Sequence, residues 1–191
     1  MKIAIIGQGY VGLTISSFAS EFFEVVGFDS SQKIVDQLSQ GISHIEGVES
    51  AILKSQVKSG RYRATAKAAD IKGCEIVVIA VPTPLTQERQ PDLTYIEAAC
   101  KTIGENIVNP VLVINESTSF PGTLRNFIKP AIEKYSRSKV EHLYAISPER
   151  VDPGRSDFNQ KNTPRLFAGL TAEAAEKTRD FYSKFCDNLV E

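Results

Sequence analysis

A chain of 191 residues with 42% hydrophobic content can bury one sizeable core, so a single folded domain is expected and disorder is excluded. Its 22 basic and 23 acidic side chains nearly cancel, leaving no basic face for a phosphate backbone and disfavouring nucleic acid as a partner. The first apolar run, residues 3–6, is too short for a signal peptide or membrane helix, and Cys74, Cys100 and Cys186 lack the spacing of a disulfide framework or zinc site.

These features predict a cytoplasmic protein with no membrane partner. No metal is expected, because His44 and His142 stand at no metal-ligand spacing. In chain order, β-branched runs predict strands over residues 2–6, 25–28, 62–65, 75–81, 111–115, 142–146 and 165–169. Helical periodicity falls between them, over 11–22, 32–38, 48–58, 93–107, 123–135 and 172–188. The alternation is that of βαβ units: an α/β fold of Rossmann type, doubly wound, with a mainly parallel sheet in three αβα layers. The run from Glu75 to Val81 is apolar at nearly every position, as a strand covered on both faces requires. Residues 82–91 and 147–164 interrupt the alternation and follow the carboxyl ends of predicted strands, the edge where open α/β sheets bind ligands.

Gly7-Gln8-Gly9-Tyr10-Val11-Gly12 closes the first strand and opens the first helix, the context in which G-x-G-x-x-G signals a dinucleotide. Gly7 permits the turn, Gly9 keeps a Cβ away from a pyrophosphate, and Gly12 lets the helix approach the strand. The helix N-terminus offers that anion free N–H groups and a partial positive charge. Asp29 ends the second strand, where a carboxylate accepts from ribose hydroxyls and repels a 2′-phosphate, favouring NAD over NADP. Two further loops place hydroxyls at the same edge: Val81-Pro82-Thr83-Pro84 after the fourth strand and Ser117-Thr118 after the fifth. Taken alone, Thr83 and Thr118 read more often as turn or N-cap residues.

The glycine loop, the Val81-Pro82-Thr83-Pro84 loop, Glu116-Ser117-Thr118-Ser119-Phe120-Pro121-Gly122-Thr123 and Ser147-Pro148-Glu149-Arg150-Val151-Asp152-Pro153-Gly154 together resemble the UDP-glucose/GDP-mannose dehydrogenase family over essentially the whole chain. The resemblance implies that residues 1–191 form the NAD-binding domain of a nucleotide-sugar 6-dehydrogenase. Such enzymes oxidise the C6 alcohol of a UDP-sugar to a carboxylate with two NAD in succession, through an aldehyde, a cysteine thiohemiacetal and a thioester that water hydrolyses. Their setting is polysaccharide biosynthesis.

Carried over by motif, Glu149 matches the acid/base glutamate beside the reacting carbon, and Thr118 matches the hydroxyl that holds a water there. Arg150, Val151 and Asp152 match the segment lining the sugar. Gly7, Gly9, Tyr10, Val11, Gly12, Asp29, Lys33, Pro82, Thr83 and Thr118 are the implied cofactor contacts. The Ser-Pro-Glu-Arg form, with Glu-Ser-Thr before Pro-Gly, is most similar to members acting on UDP-N-acetylglucosamine or UDP-N-acetylmannosamine. One departure is Ile34, five positions after Asp29 where members often carry a basic residue; Lys33 sits one earlier.

The family's nucleophilic cysteine, its helical middle domain and its C-terminal UDP-sugar-binding domain have no counterpart in these residues, so the chain is expected to be inactive alone. The full-length protein is expected to be a homodimer or higher oligomer. Cys186, within an apolar helical pattern with Phe181, Tyr182 and Phe185, reads as a packing residue, as do Cys74 and Cys100. Two competing readings are a non-catalytic nucleotide-sensing Rossmann module and the N-terminal domain of a hydroxyacid or 6-phosphogluconate type dehydrogenase.

Overall fold

The computed structural model describes residues 1–149 and 161–191. Seven strands form one sheet in the order β3 (Tyr62–Thr65), β2 (Glu24–Phe28), β1 (Lys2–Ile6), β4 (Ile76–Ile79), β5 (Leu112–Asn115), β6 (Leu143–Ile146) and β8 (Ala168–Gly169). All pairings are parallel except that of β8 with β6. From β1 the chain steps outward through β2 to β3, then returns to lay β4, β5 and β6 on the other side. The reversal between β1 and β4 opens a crevice at the carboxyl ends of those strands.

Alternation along the strands divides the core in two. Ile3, Ile5, Val25, Ile76, Val78 and Ile114 face one layer with helices α1 (Tyr10–Ala19), α3 (Ser50–Lys58) and α6 (Ala172–Tyr182). Ala4, Ile6, Val26, Val77, Ile79 and Val113 face the other, against α4 (Thr94–Asn106) and α5 (Lys129–Tyr135). Every residue of β4 and β5 is buried, which matches the unbroken apolar run of β4 and the apolar Leu112, Val113 and Ile114 of β5. The short helix α2 (Gln32–Ser39) follows β2 and is capped by Ser31, whose side chain accepts from the Ile34 N–H.

Three predicted elements differ. The strand expected over 165–169 is two short pieces: β7 (Arg165–Leu166) pairs in parallel with β9 (Leu189–Val190), while β8 turns back onto β6. The helix expected over 172–188 stops at Tyr182, because Asn188 and Val190 carbonyls are taken by the N–H groups of Arg165 and Phe167. The helix expected over 123–135 opens as a wide π turn, Leu124–Ile128, before α5. Pro130 has no N–H to offer the carbonyl four residues back, and its ring crowds it, which widens the turn. A short 3₁₀ turn, Ala68–Ile71, and β9 carried too few residues to show in periodicity. Among the described residues no helix is long and apolar enough to cross a membrane.

Candidate functional site

Of the described residues singled out from sequence, Gly7 and Gly9, Asp29, Pro82 and Thr83, Thr118 and Glu149 lie beyond the carboxyl ends of β1, β2, β4, β5 and β6, while Tyr10, Val11 and Gly12 open α1 and Lys33 lies in α2. After β1, Gly7 takes φ +91°, and a Cβ there would stand 2.4 Å from the Ala80 carbonyl oxygen. A Cβ at Gly12 would lie 1.8 Å from the Gly7 oxygen, so helix and turn meet only because both positions are bare. A Cβ built at Gly9 meets nothing within 4 Å, and Gly9 caps α1 with no side-chain hydrogen bond. The open space above Gly9 and the uncapped helix start form a cradle of the shape a pyrophosphate needs. Tyr10 and Val11 begin α1, half-buried.

Asp29 sits just beyond β2, half-buried. Its Oδ2 accepts the Gln8 N–H at 2.8 Å and its Oδ1 accepts the Ser31 N–H at 2.9 Å. These bonds aim the carboxylate across the glycine loop, and each oxygen keeps a lone pair for a ribose hydroxyl. Helix capping falls to Ser31, so Asp29 is not needed as the cap. Lys33 is exposed on the first turn of α2.

Gln8, an unspecified position of the glycine motif, organises this half of the site. It is fully buried, its Nε2 donates to the carbonyls of Ile5 and Gly7, and its Oε1 accepts from Ser16 Oγ at 3.0 Å and Tyr62 OH at 2.8 Å. The network ties the loop to α1 and β3. It fits because residue 27 is glycine: a Cβ there would lie 2.6 Å from both Gln8 Oε1 and Tyr62 OH. Burial, with the Asp29 charge adding to it, pushes the Tyr62 phenol above its ordinary range, so it stays a donor. A polar residue closing an apolar strand was the one available sequence signal for Gln8.

The β4 and β5 loops are coupled. Ser117 is buried, its Oγ accepts the Val81 N–H at 2.9 Å, and Asn115 Nδ2 donates to the Ser117 carbonyl at 3.0 Å. This pins the segment carrying Pro82, exposed, and Thr83, half-buried, beside exposed Thr118. The loop of residues 82–91 closes on itself through a bridge between Leu85 and Pro91.

After β6, Glu149 Oε2 accepts from Arg165 Nη2 at 3.1 Å. Arg165, which sequence reasoning passed over, is only 4% exposed and also reaches Glu116, whose side chain is fully buried, at 2.5 Å. Its Nη1 donates to Ser147 Oγ at 3.0 Å, its guanidinium stacks 4.5 Å from the Tyr182 ring centroid, and Tyr182 OH donates to Glu116. Burial pushes the Glu116 carboxyl up, against the opposing pull of Arg165. Burial opposes the Arg165 charge as well, yet Glu116, Tyr182 and Glu149 outweigh it and hold the guanidinium above its ordinary value. Arg150, Val151 and Asp152 lie outside the described residues.

All three cysteines are buried thiols. Burial pushes Cys74 up to about 11 and Cys100 up to about 12, and it raises Cys186 despite the nearby Arg165 charge. At neutral pH none is a thiolate, the form a nucleophile requires. Among the described residues no group of His, Cys, Asp or Glu could hold a metal ion.

A doubly wound sheet with a bare glycine turn, an uncapped helix start and a carboxylate at the end of the second strand defines a dinucleotide-binding domain of Rossmann type. Residues 1–186 match the model of the UDP-glucose/GDP-mannose dehydrogenase family, NAD binding domain. The chain is 35% identical over 191 residues to a UDP-N-acetyl-D-mannosamine dehydrogenase of Pyrococcus horikoshii, covering 97% of this chain and 45% of that protein. It is 33% identical over 184 residues to a UDP-N-acetyl-D-glucosamine 6-dehydrogenase of Pseudomonas aeruginosa, covering 95% of this chain and 43% of that one. A solved structure of a UDP-D-ManNAc dehydrogenase from Pyrococcus horikoshii superposes with a TM-score of 0.90 at 34% identity, over 100% of this chain and 47% of that chain. The chain belongs to the UDP-glucose/GDP-mannose dehydrogenase family and is its NAD-binding domain; it spans less than half the length of the relatives it matches.

Proposed function

We propose that this domain serves an NAD-dependent UDP-sugar 6-dehydrogenase acting on a UDP-N-acetylhexosamine, with Glu149 as acid/base and Thr118 as its hydroxyl partner. The relatives named for UDP-N-acetylglucosamine and UDP-N-acetylmannosamine favour that branch. In this reading, residues 1–191 are one domain. A helical middle region and a UDP-sugar-binding domain complete the protein, which works as a homodimer or higher oligomer in cytoplasmic polysaccharide biosynthesis.

NAD would supply the hydride acceptor, and this chain's residues would bind it and handle the proton. Gly7, Gly9 and Gly12, with Tyr10 and Val11, receive the pyrophosphate at the start of α1; Asp29 takes the ribose, with Lys33 beside it; Pro82, Thr83 and Thr118 border the nicotinamide half. Glu149 removes the proton of a C6 hydroxyl or of a water. Arg150, Val151 and Asp152, sugar contacts by motif, lie outside the described residues. The cysteine nucleophile comes from outside this chain, since Cys74, Cys100 and Cys186 are buried.

The single observation that carries this reading is the placement of Glu149. It stands after β6, two strands from the crevice at β1 and β4, its carboxylate held by the buried Arg165. The test is Glu149→Gln in the protein carrying this domain. NADH production from UDP-N-acetylhexosamine should fall about 10²–10⁴-fold, while NAD affinity by calorimetry stays unchanged. Full turnover in the variant, or robust NADH production by residues 1–191 alone, would overturn the assignment.

A further inference from the structure

Among the described residues, Glu149 and Glu116 share a single guanidinium. Arg165 gives Nη1 to Glu116 and Ser147 and Nη2 to Glu149, so its two terminal nitrogens are divided between the partners. The groups come from four places in the chain: Glu116 from the end of β5, Ser147 and Glu149 from the end of β6, Arg165 from β7 and Tyr182 from the last turn of α6. Tyr182 closes the set from beneath, with its ring under the guanidinium and its hydroxyl on Glu116. Arg165 and Glu116 are sealed from solvent, whereas the Glu149 side chain retains 11% exposure. Of the two carboxylates, Glu149 is thus the outer one, placed to exchange a proton with a ligand.

We infer that Arg165 is the positioning residue for Glu149 and that Glu116 sets how much of the guanidinium charge Glu149 receives. This rests on the reading of Glu149 as acid/base. A fixed cation within hydrogen-bond reach favours the ionised carboxylate, and a second carboxylate on the same cation opposes it. A general base requires that balance: ionised enough to accept a proton, yet not held so tightly that it will not. The anchoring bonds of Arg165 also keep the Glu149 carboxylate from turning away from the edge of the sheet, since the guanidinium itself has no room to follow.

The two neighbours must therefore act with opposite sign. Removing the competing charge with Glu116→Gln should lower the pH at which Glu149 titrates, and removing the cation with Arg165→Gln should raise it, each by about one pH unit. The readout is a ¹³C NMR titration of the Glu149 side-chain carboxyl in this chain, assigned with Glu149→Gln. Arg165→Lys, which keeps the charge but loses the fork, should fall between wild type and Arg165→Gln. Circular dichroism melting checks the fold; if Arg165→Gln does not fold, Glu116→Gln and Arg165→Lys still must move in opposite directions. Shifts of the same sign, or none, overturn the inference. A Glu149→Gln enzyme that turns over normally would overturn the acid/base reading while leaving the titration result standing.

Discussion

Asp29 does two things with one carboxylate, and they are separable by experiment. Its bonds to the Gln8 and Ser31 N–H groups hold the glycine loop in register with the end of β2, and in the proposed reading its remaining lone pairs accept from a ribose. Asp29→Ala should weaken NAD binding by about 1–2 kcal/mol, or roughly tenfold in affinity, the size of one or two lost hydrogen bonds. Titration calorimetry of the wild type and variant with NAD and NADP measures this; an unchanged NAD affinity would remove Asp29 from the cofactor site. Gln8 belongs to the same scale. Its amide is fully enclosed and each of its atoms is partnered, so the loop is held by a buried polar network rather than by glycine flexibility. Tyr62→Phe leaves Gln8 Oε1 with Ser16 as its donor and should cost about 1 kcal/mol in urea unfolding; no loss would mean the tyrosine hydroxyl is dispensable to the loop.

At the scale of elements, the layer carrying α4 and α5 depends on one close crossing. A Cβ built at Gly104 on α4 would stand 2.7 Å from the Ile132 carbonyl of α5 and 2.9 Å from Tyr135. These are backbone and first side-chain atoms that cannot swing aside. Gly104→Ala, which would ordinarily stabilise a helix interior, should here lower stability by about 1–3 kcal/mol through overpacking. Chemical denaturation decides the sign, and a stabilised variant would show that the helices can part at no cost. The coupling of the β4 and β5 loops through Ser117 and Val81 works on the same scale. It ties the turn carrying Pro82 and Thr83 to the turn carrying Thr118.

For the whole molecule, the pH dependence of stability follows from a buried histidine at the start of β6. His142 Nδ1 accepts the Val111 N–H at 3.3 Å, which only an unprotonated nitrogen can do. Burial holds its pKa below the ordinary histidine value, with Glu133 pulling weakly the other way. The unfolded chain therefore takes up a proton first as pH falls through about 6.5, while the folded chain refuses it. Stability is full above that pH, declines with acid down to the folded-state value, and then levels. Urea unfolding between pH 5 and 8 should show this slope, and His142→Gln should flatten it; a slope that survives the substitution would assign it to other groups. Asp70 contributes at lower pH, since the Thr65 hydrogen bond holds its carboxyl below the ordinary value and that stability is lost as the acid protonates.

Much of this protein was determined by its sequence read locally. The glycine turn, the strand it closes, the helix it opens and Asp29 are all within the first residues of one βαβ unit. Their geometry follows from sterics and hydrogen bonding over short distances, so motif spacing carries it. The apolar run of β4 announced a strand covered on both faces for the same reason. What only the tertiary structure decided lies where partners are far apart in the chain: the split of the predicted strand at 165–169, the early end of α6, and above all the meeting of Glu116, Glu149, Arg165 and Tyr182. Periodicity reports which side of an element is buried, not which other element covers it. A buried arginine between two glutamates is visible only once β5, β6, β7 and α6 have closed around it, because the burial that gives those charges their force is itself a product of the fold.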